Sequence, residues 1–126
     1  MIMDASAAVA MLRGEPESAQ LLEALKAAPV VRMSAASVLE LAIVMRPHGP
    51  EIVDDFIRDM GIQVIGVDIE HLAWARHAHT HFGRGSGSAA KLNFGDCFSY
   101  AAARATGEPL LFTGDDFAAT DVARAL

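Results

Sequence analysis

Met1-Ile2-Met3-Asp4-Ala5-Ser6-Ala7-Ala8-Val9-Ala10-Met11-Leu12 reads as a short buried strand that stops at an acid and then passes into a helix. Residues 1–4 supply the strand, Ser6 is placed to cap the helix through Leu12, and Gly14 and Pro16 stop it. The same alternation recurs along the chain. A helix of about 16–27 carries Ala19, Leu22 and Leu25 at helical spacing, and Pro29 introduces the strand Val30-Val31-Arg32-Met33. Ser34 caps a helix of about 35–46, and Pro47-His48-Gly49-Pro50 separates it from another at about 51–60.

After Gly61, Ile62-Gln63-Val64-Ile65-Gly66-Val67 alternates as a strand and Asp68 caps a helix of about 69–82. Asp96 opens a helix to about Thr106, and Leu110-Leu111-Phe112 is the last strand before a helical turn and a short edge strand. Connections this long exclude simple hairpins. They imply an α/β sandwich with a largely parallel sheet. A length of 126 residues suits one domain burying roughly two-thirds of its unfolded surface, and no repeat or linker divides residues 1–126.

A single cysteine, Cys97, rules out an internal disulfide framework and a cysteine-based zinc site, which suits a reducing cytoplasm. No segment is long enough to span a membrane, and the start has no basic region of a signal peptide. The formal charge of −6 ordinarily argues against an anionic polymer as ligand. Acids engaged with a cation would invert that potential locally, leaving Arg13, Arg32, Arg46, Arg84 and Lys91 as phosphate contacts or as ordinary solvated charges.

The chemistry is carried by acids that interrupt apolar stretches. Asp4 ends the first strand, Glu40 breaks Val38-Leu39-Glu40-Leu41-Ala42-Ile43-Val44, Asp96 starts a helix, and Asp115 with Asp116 follows the last strand. A desolvated carboxylate costs several kcal/mol and needs a proton, a base or a metal. No Lys or Arg stands at helical spacing from these acids, so a shared divalent cation is the most direct reading. Ligands of parallel sheets bind beyond the carboxyl ends of the strands, the edge onto which Asp4 and Asp115 project. All-oxygen coordination is the preference of Mg²⁺ or Mn²⁺. Taken singly, each acid also reads as a cap, a turn former or an exposed helix residue; Ser6 and Thr113 read equally as caps or as residues that orient the acids.

Other features carry less. His77 and His81 are one turn apart but lack a third zinc ligand. Cys97 has no histidine partner and reads as core. Gly83-Arg84-Gly85-Ser86-Gly87-Ser88 follows a helix and lacks the Gly-Lys-Ser/Thr ending of a phosphate loop, so it reads as a mobile loop that reaches substrate through Arg84. Val9, Leu12, Leu21, Leu22 and Leu25 exceed what one face of a thin sandwich needs and suggest a partner surface on the N-terminal helices.

Four blocks, Met1-Ile2-Met3-Asp4-Ala5-Ser6-Ala7, Ser37-Val38-Leu39-Glu40, Leu92-Asn93-Phe94-Gly95-Asp96-Cys97-Phe98-Ser99-Tyr100-Ala101 and Leu110-Leu111-Phe112-Thr113-Gly114-Asp115-Asp116-Phe117, resemble the signature blocks of PIN-domain ribonucleases. More narrowly they resemble the VapC toxins of bacterial VapBC toxin–antitoxin pairs. The blocks fall in the family's order and span nearly the whole chain. The resemblance implies a PIN-like three-layer sandwich and a Mg²⁺- or Mn²⁺-dependent endoribonuclease that cleaves structured cellular RNA (tRNA, rRNA or mRNA) and inhibits translation and growth. It further implies a homodimer held inactive by a VapB antitoxin that reaches into or over the acidic site.

Carried over by residue, Asp4, Glu40 and Asp96 match the first three family acids, with Asp4 and Asp96 as metal ligands. Many relatives end Thr-x-Asp-x-Asp-Phe, whereas this chain is one residue shorter, which leaves the fourth acid open between Asp115 and Asp116. Two readings from other classes compete. A receiver-like phosphoacceptor needs a lysine after its last strand, and neither Lys26 nor Lys91 fits. A metal-free binding module would cleave no RNA in Mg²⁺ or Mn²⁺.

Overall fold

The computed structural model describes residues 1–126, and its apolar runs form four short strands, β1 (Ile2–Met3), β2 (Arg32–Ser34), β3 (Gln63–Ile65) and β4 (Leu110–Leu111). They lie in the order β3-β2-β1-β4 with every pairing parallel, Ile2 standing opposite Arg32 on one side and Leu110 on the other. Parallel neighbours require crossovers, and six helices supply them: α1 (Ala5–Arg13), α2 (Ser18–Ala27), α3 (Ala35–Val44), α4 (Glu51–Asp59), α5 (Ile69–Phe82) and α6 (Phe94–Thr106).

Successive strand residues face opposite layers. Met3, Met33 and Leu111 pack with Leu21, Leu41 and Phe56 beneath α1 to α4, while Ile2, Leu110 and Phe112 pack with Ala78, Tyr100 and Ala101 beneath α5 and α6. Ile2, Met3, Leu110 and Leu111 are wholly buried, worth roughly 1.5–3 kcal/mol each relative to exposure. The expected three-layer sandwich with a mostly parallel sheet is therefore borne out.

Several local expectations are corrected. The cap of α1 is Asp4, whose side chain accepts the Ser6 N–H at 2.9 Å; Ser6 is already the second helical residue. Helix α6 starts at Phe94 under an Asn93 cap, with Asp96 as the third residue of its first turn. Helix α2 begins at Ser18, past the Pro16 turn, and β3 ends at Ile65, where the chain leaves the sheet edge. After β4 the expected helical turn is reduced to turns at Asp115–Ala118 and Phe117–Thr120, and the expected edge strand to one parallel bridge from Arg124 to Leu110.

Leu21 and Leu25 are core residues, and Val9 and Leu12 pack against the same core, so of the apolar surface expected on the N-terminal helices only part-exposed Val9, Leu12 and Leu22 remain. Exposed apolar side chains gather elsewhere. Leu39, Ile43 and Val44 on α3 and Phe94 on α6 face solvent, although the stretch around Glu40 reads as core in sequence.

Candidate active site

Because every strand runs the same way, the segments after β1, β2 and β4 emerge at one edge of the sheet. Asp4 leaves β1, Glu40 comes from α3 behind β2, Asp96 from the first turn of α6, and Asp116 from the turn after β4. All four line one cavity of about 340 Å³ together with Ser6, Thr113 and Asn93. Of the two neighbouring acids, Asp116 lines it and Asp115 does not; Gly114 before them takes a left-handed φ of 80°. Arg84 lies outside this cavity but close enough for its charge to act on Asp96.

Hydrogen bonds fix the acids individually. Asp4 caps α1 through one carboxylate oxygen and accepts from the Ser99 hydroxyl at 2.5 Å through the other. Since the single Ser99 proton is used there, the Ser37 hydroxyl 2.9 Å away must donate to Ser99. Asp96 and Asn93 form a reciprocal capping box, each side chain accepting the other's backbone N–H at 2.9 Å. Ser6 accepts the Thr113 N–H at 3.2 Å, tying the turn that carries Asp116 to α1.

Gly95 makes room for Glu40. A Cβ on Gly95 would come within 2.6 Å of the Glu40 carboxyl carbon and closer still to one oxygen, so the two helices approach this near only because position 95 has no side chain.

Like charges crowded together raise each other's pKa, and burial adds to the effect. Burial, reinforced by the charges of Asp4 and Asp96, pushes the Glu40 carboxyl up to about 7. Burial also carries Asp96 up to about 6, with Asp4 and Asp116 raising it and the Asn93 N–H and Arg84 opposing them. A first-turn position favours the ionised form of Asp96, but desolvation outweighs the helix terminus.

Residues 1–123 match the PIN domain family. The chain belongs to that family. It is 48% identical over 126 residues to Ribonuclease VapC42 of Mycobacterium tuberculosis, covering 97% of this chain and 96% of that protein. It is 45% identical over 130 residues to Ribonuclease VapC28 of the same species, covering 100% and 98%, and 43% identical over 128 residues to Ribonuclease VapC of Mycolicibacterium smegmatis, covering 98% of each. The resemblance to VapC ribonucleases is therefore borne out. Among solved structures, M. tuberculosis VapC20, described as a Sarcin-Ricin loop cleaving toxin, superposes with a TM-score of 0.76 at 16% identity, over 97% of this chain and 95% of that one. A toxin–antitoxin complex from Klebsiella pneumoniae gives 0.73 at 16% identity, over 95% and 92%. At that identity the two structures speak for the PIN fold alone.

Around this PIN site the fold brings in residues that sequence reading missed: Ser99 and Ser37, each three positions from an acid on its own helix, then Asn93, Gly95 and Glu15, which also lines the cavity. The i, i+3 spacing of Asp96 to Ser99 and of Ser37 to Glu40 was the available signal. His77 lies against His81, with ring centroids 4.3 Å apart, and packs among Trp74, Phe82 and Tyr100; no three His, Cys, Asp or Glu side chains form a ready-made ligand set. Burial pushes the Cys97 thiol up, and its Sγ donates to the Asn93 carbonyl at 3.3 Å.

Proposed function

We propose that residues 1–126 act as one PIN-domain endoribonuclease dependent on Mg²⁺ or Mn²⁺, the toxin of a toxin–antitoxin pair acting on cellular RNA in the cytoplasm. The observation that carries this reading is the joint cavity of Asp4, Glu40, Asp96 and Asp116, with the carboxyls of Glu40 and Asp96 raised by burial and by the acids beside them. An open, all-oxygen donor set without a closed ring of ligands fits a hard cation that keeps several waters and binds through one or two carboxylates. When bound, such an ion supplies charge neutralisation at the scissile phosphate and acidifies water.

The chain's own residues do the rest. Asp4 and Asp96 are the proposed ligands, held in place by Ser99 and the Ser6 N–H in one case and by the Asn93 N–H in the other. Glu40 faces the same cavity, where its carboxylate would complete the ion's shell or orient the attacking water. Asp116 completes the acidic wall, Ser6 and Thr113 hold its turn, and Arg84 steadies substrate phosphate. Asp115 is assigned no direct contact with the ion.

By family membership the partners are an RNA substrate, a VapB-type antitoxin whose basic side chains pair with the acidic cavity, and a second copy of this chain. We assign the homodimer to the exposed strip Leu39, Ile43 and Val44 on α3, since Val44 also lines the acidic cavity and a copy seated there would meet its rim. No helix is long and apolar enough to cross a membrane.

Purified protein should cleave RNA in Mg²⁺ or Mn²⁺ and lose the activity in chelator, and Asp4→Asn or Asp96→Asn should abolish cleavage while circular dichroism stays unchanged, because an amide cannot supply the anionic oxygen a hard cation requires. Parental cleavage by a folded Asp96→Asn protein would refute the ligand assignment.

A further inference from the structure

Besides the acidic cavity the molecule has a larger one, of about 680 Å³. It is a cleft between α5 and the first turn of α6, within the size range of pockets that enclose small organic ligands. Leu72, Ala75 and Leu92 give it an apolar floor, and Phe94 and Phe98 meet edge to face along its wall with ring centroids 4.9 Å apart. Phe94 is 82% exposed, an unusual state for a phenylalanine in a chain whose other aromatic rings are mostly packed. The charged groups of the lining are Arg76 and Arg84, with His79 beside them and no acid among them, although the whole chain carries −6.

Asn93 lines both this cleft and the acidic cavity, so the two are neighbours separated by one residue that the capping box holds rigid. Arg84 faces the cleft and acts electrostatically on Asp96. An apolar, aromatic-walled slot with basic side chains, adjoining a phosphodiester-cleaving centre, matches one kind of occupant. Unpaired bases stack on aromatic faces while arginines take the flanking phosphates.

Resting on the ribonuclease reading above, we propose that the α5–α6 cleft receives the base of a nucleotide adjacent to the scissile phosphate in single-stranded or looped RNA, with Phe94 as its stacking surface and Arg76 and Arg84 on the neighbouring phosphates. The cleft selects unpaired RNA because a base inside a duplex cannot reach Phe94.

The test compares the full chain with Phe94→Ala and Arg76→Ala, both at exposed positions, in steady-state cleavage of a short random-sequence oligoribonucleotide in Mn²⁺. The expected result is a KM roughly tenfold higher for Phe94→Ala with kcat nearly unchanged, the signature of lost uniform binding. Scanning a single abasic position along the oligomer should raise the parental KM by a similar factor at one position, and should add nothing in Phe94→Ala. Both variants keeping the parental KM would overturn the proposal while leaving the ribonuclease reading intact. The proposal is equally overturned if the variants instead lose self-association or antitoxin binding by sedimentation, which would make the cleft a protein interface. Failure of the parental protein to cleave any RNA in Mg²⁺ or Mn²⁺ would overturn the ribonuclease reading and the proposal with it.

Discussion

At the scale of single residues, position 95 separates stability from function. An alanine in a helix is favoured over glycine by about 1 kcal/mol, so Gly95→Ala should hold or raise the melting temperature of α6. Its Cβ would nevertheless displace the Glu40 carboxylate, and kcat/KM should fall by roughly tenfold or more, a displacement near the chemistry being costly. A stabilised variant with parental cleavage would show that Glu40 need not stand there. Ser99 tests a different dependence. Ser99→Ala removes the donor to Asp4 and leaves the Ser37 hydroxyl without its acceptor. The metal concentration for half-maximal activity should rise roughly 10- to 100-fold, and Ser99→Thr, which retains the hydroxyl, should recover part of the loss. An unchanged metal titration would reduce the serine pair to packing.

At the scale of elements, α3 and α6 are drawn together by the core while their acids repel. Glu40 rises from 4.5 to about 7 and Asp96 from 3.8 to about 6, so the folded chain holds these protons more tightly than the unfolded chain does. The contribution to stability is therefore fully present below the unfolded values and is lost as pH rises through about 6 to 7. In chelator the melting temperature should fall between about pH 5 and about pH 8, and the double variant Glu40→Gln, Asp96→Asn should flatten that slope. Millimolar Mn²⁺ at the alkaline end should restore the melting temperature, since an ion that binds only the folded state stabilises it. A flat profile in chelator would mean that the two helices relax apart, returning the acids to water and relieving their repulsion.

At the scale of the whole molecule, the exposed apolar surface predicts assembly. Ile43 is 65% exposed, so Ile43→Asp should cost the monomer little, while an aspartate in an apolar contact is expensive. Sedimentation should show the parental chain as a dimer and Ile43→Asp as a monomer, with melting temperatures that differ by only a few degrees. A parental chain that sediments as a monomer at micromolar concentration would remove α3 from the interface. Leu12→Asp and Leu22→Asp serve as a contrast. Leu12 packs against the main core, and Leu22, on the same helix as the buried Leu21 and Leu25, is itself only partly exposed. Substitution there should lower stability before it affects any partner.

Apolar patterning by itself determined the alternation of strands and helices, because a strand buried on both faces and a helix with one apolar stripe leave different periods in the chain. It also located Asp4, Glu40 and Asp96, since an acid that breaks an apolar run stands out without any knowledge of its neighbours. The caps were less legible: Asp4 and Ser6 are both good capping residues, and only the path out of β1 made Asp4 the cap. Only the tertiary structure put Asp116 rather than Asp115 on the cavity wall, after a left-handed turn at Gly114, and joined Ser99 of α6 to Asp4 at the end of β1. It also decided which apolar helix faces are covered. Periodicity shows that α2 and α3 each have an apolar side, but what lies opposite that side is set by the packing of the layers, which buried Leu21 and Leu25 and left Leu39 and Ile43 in water.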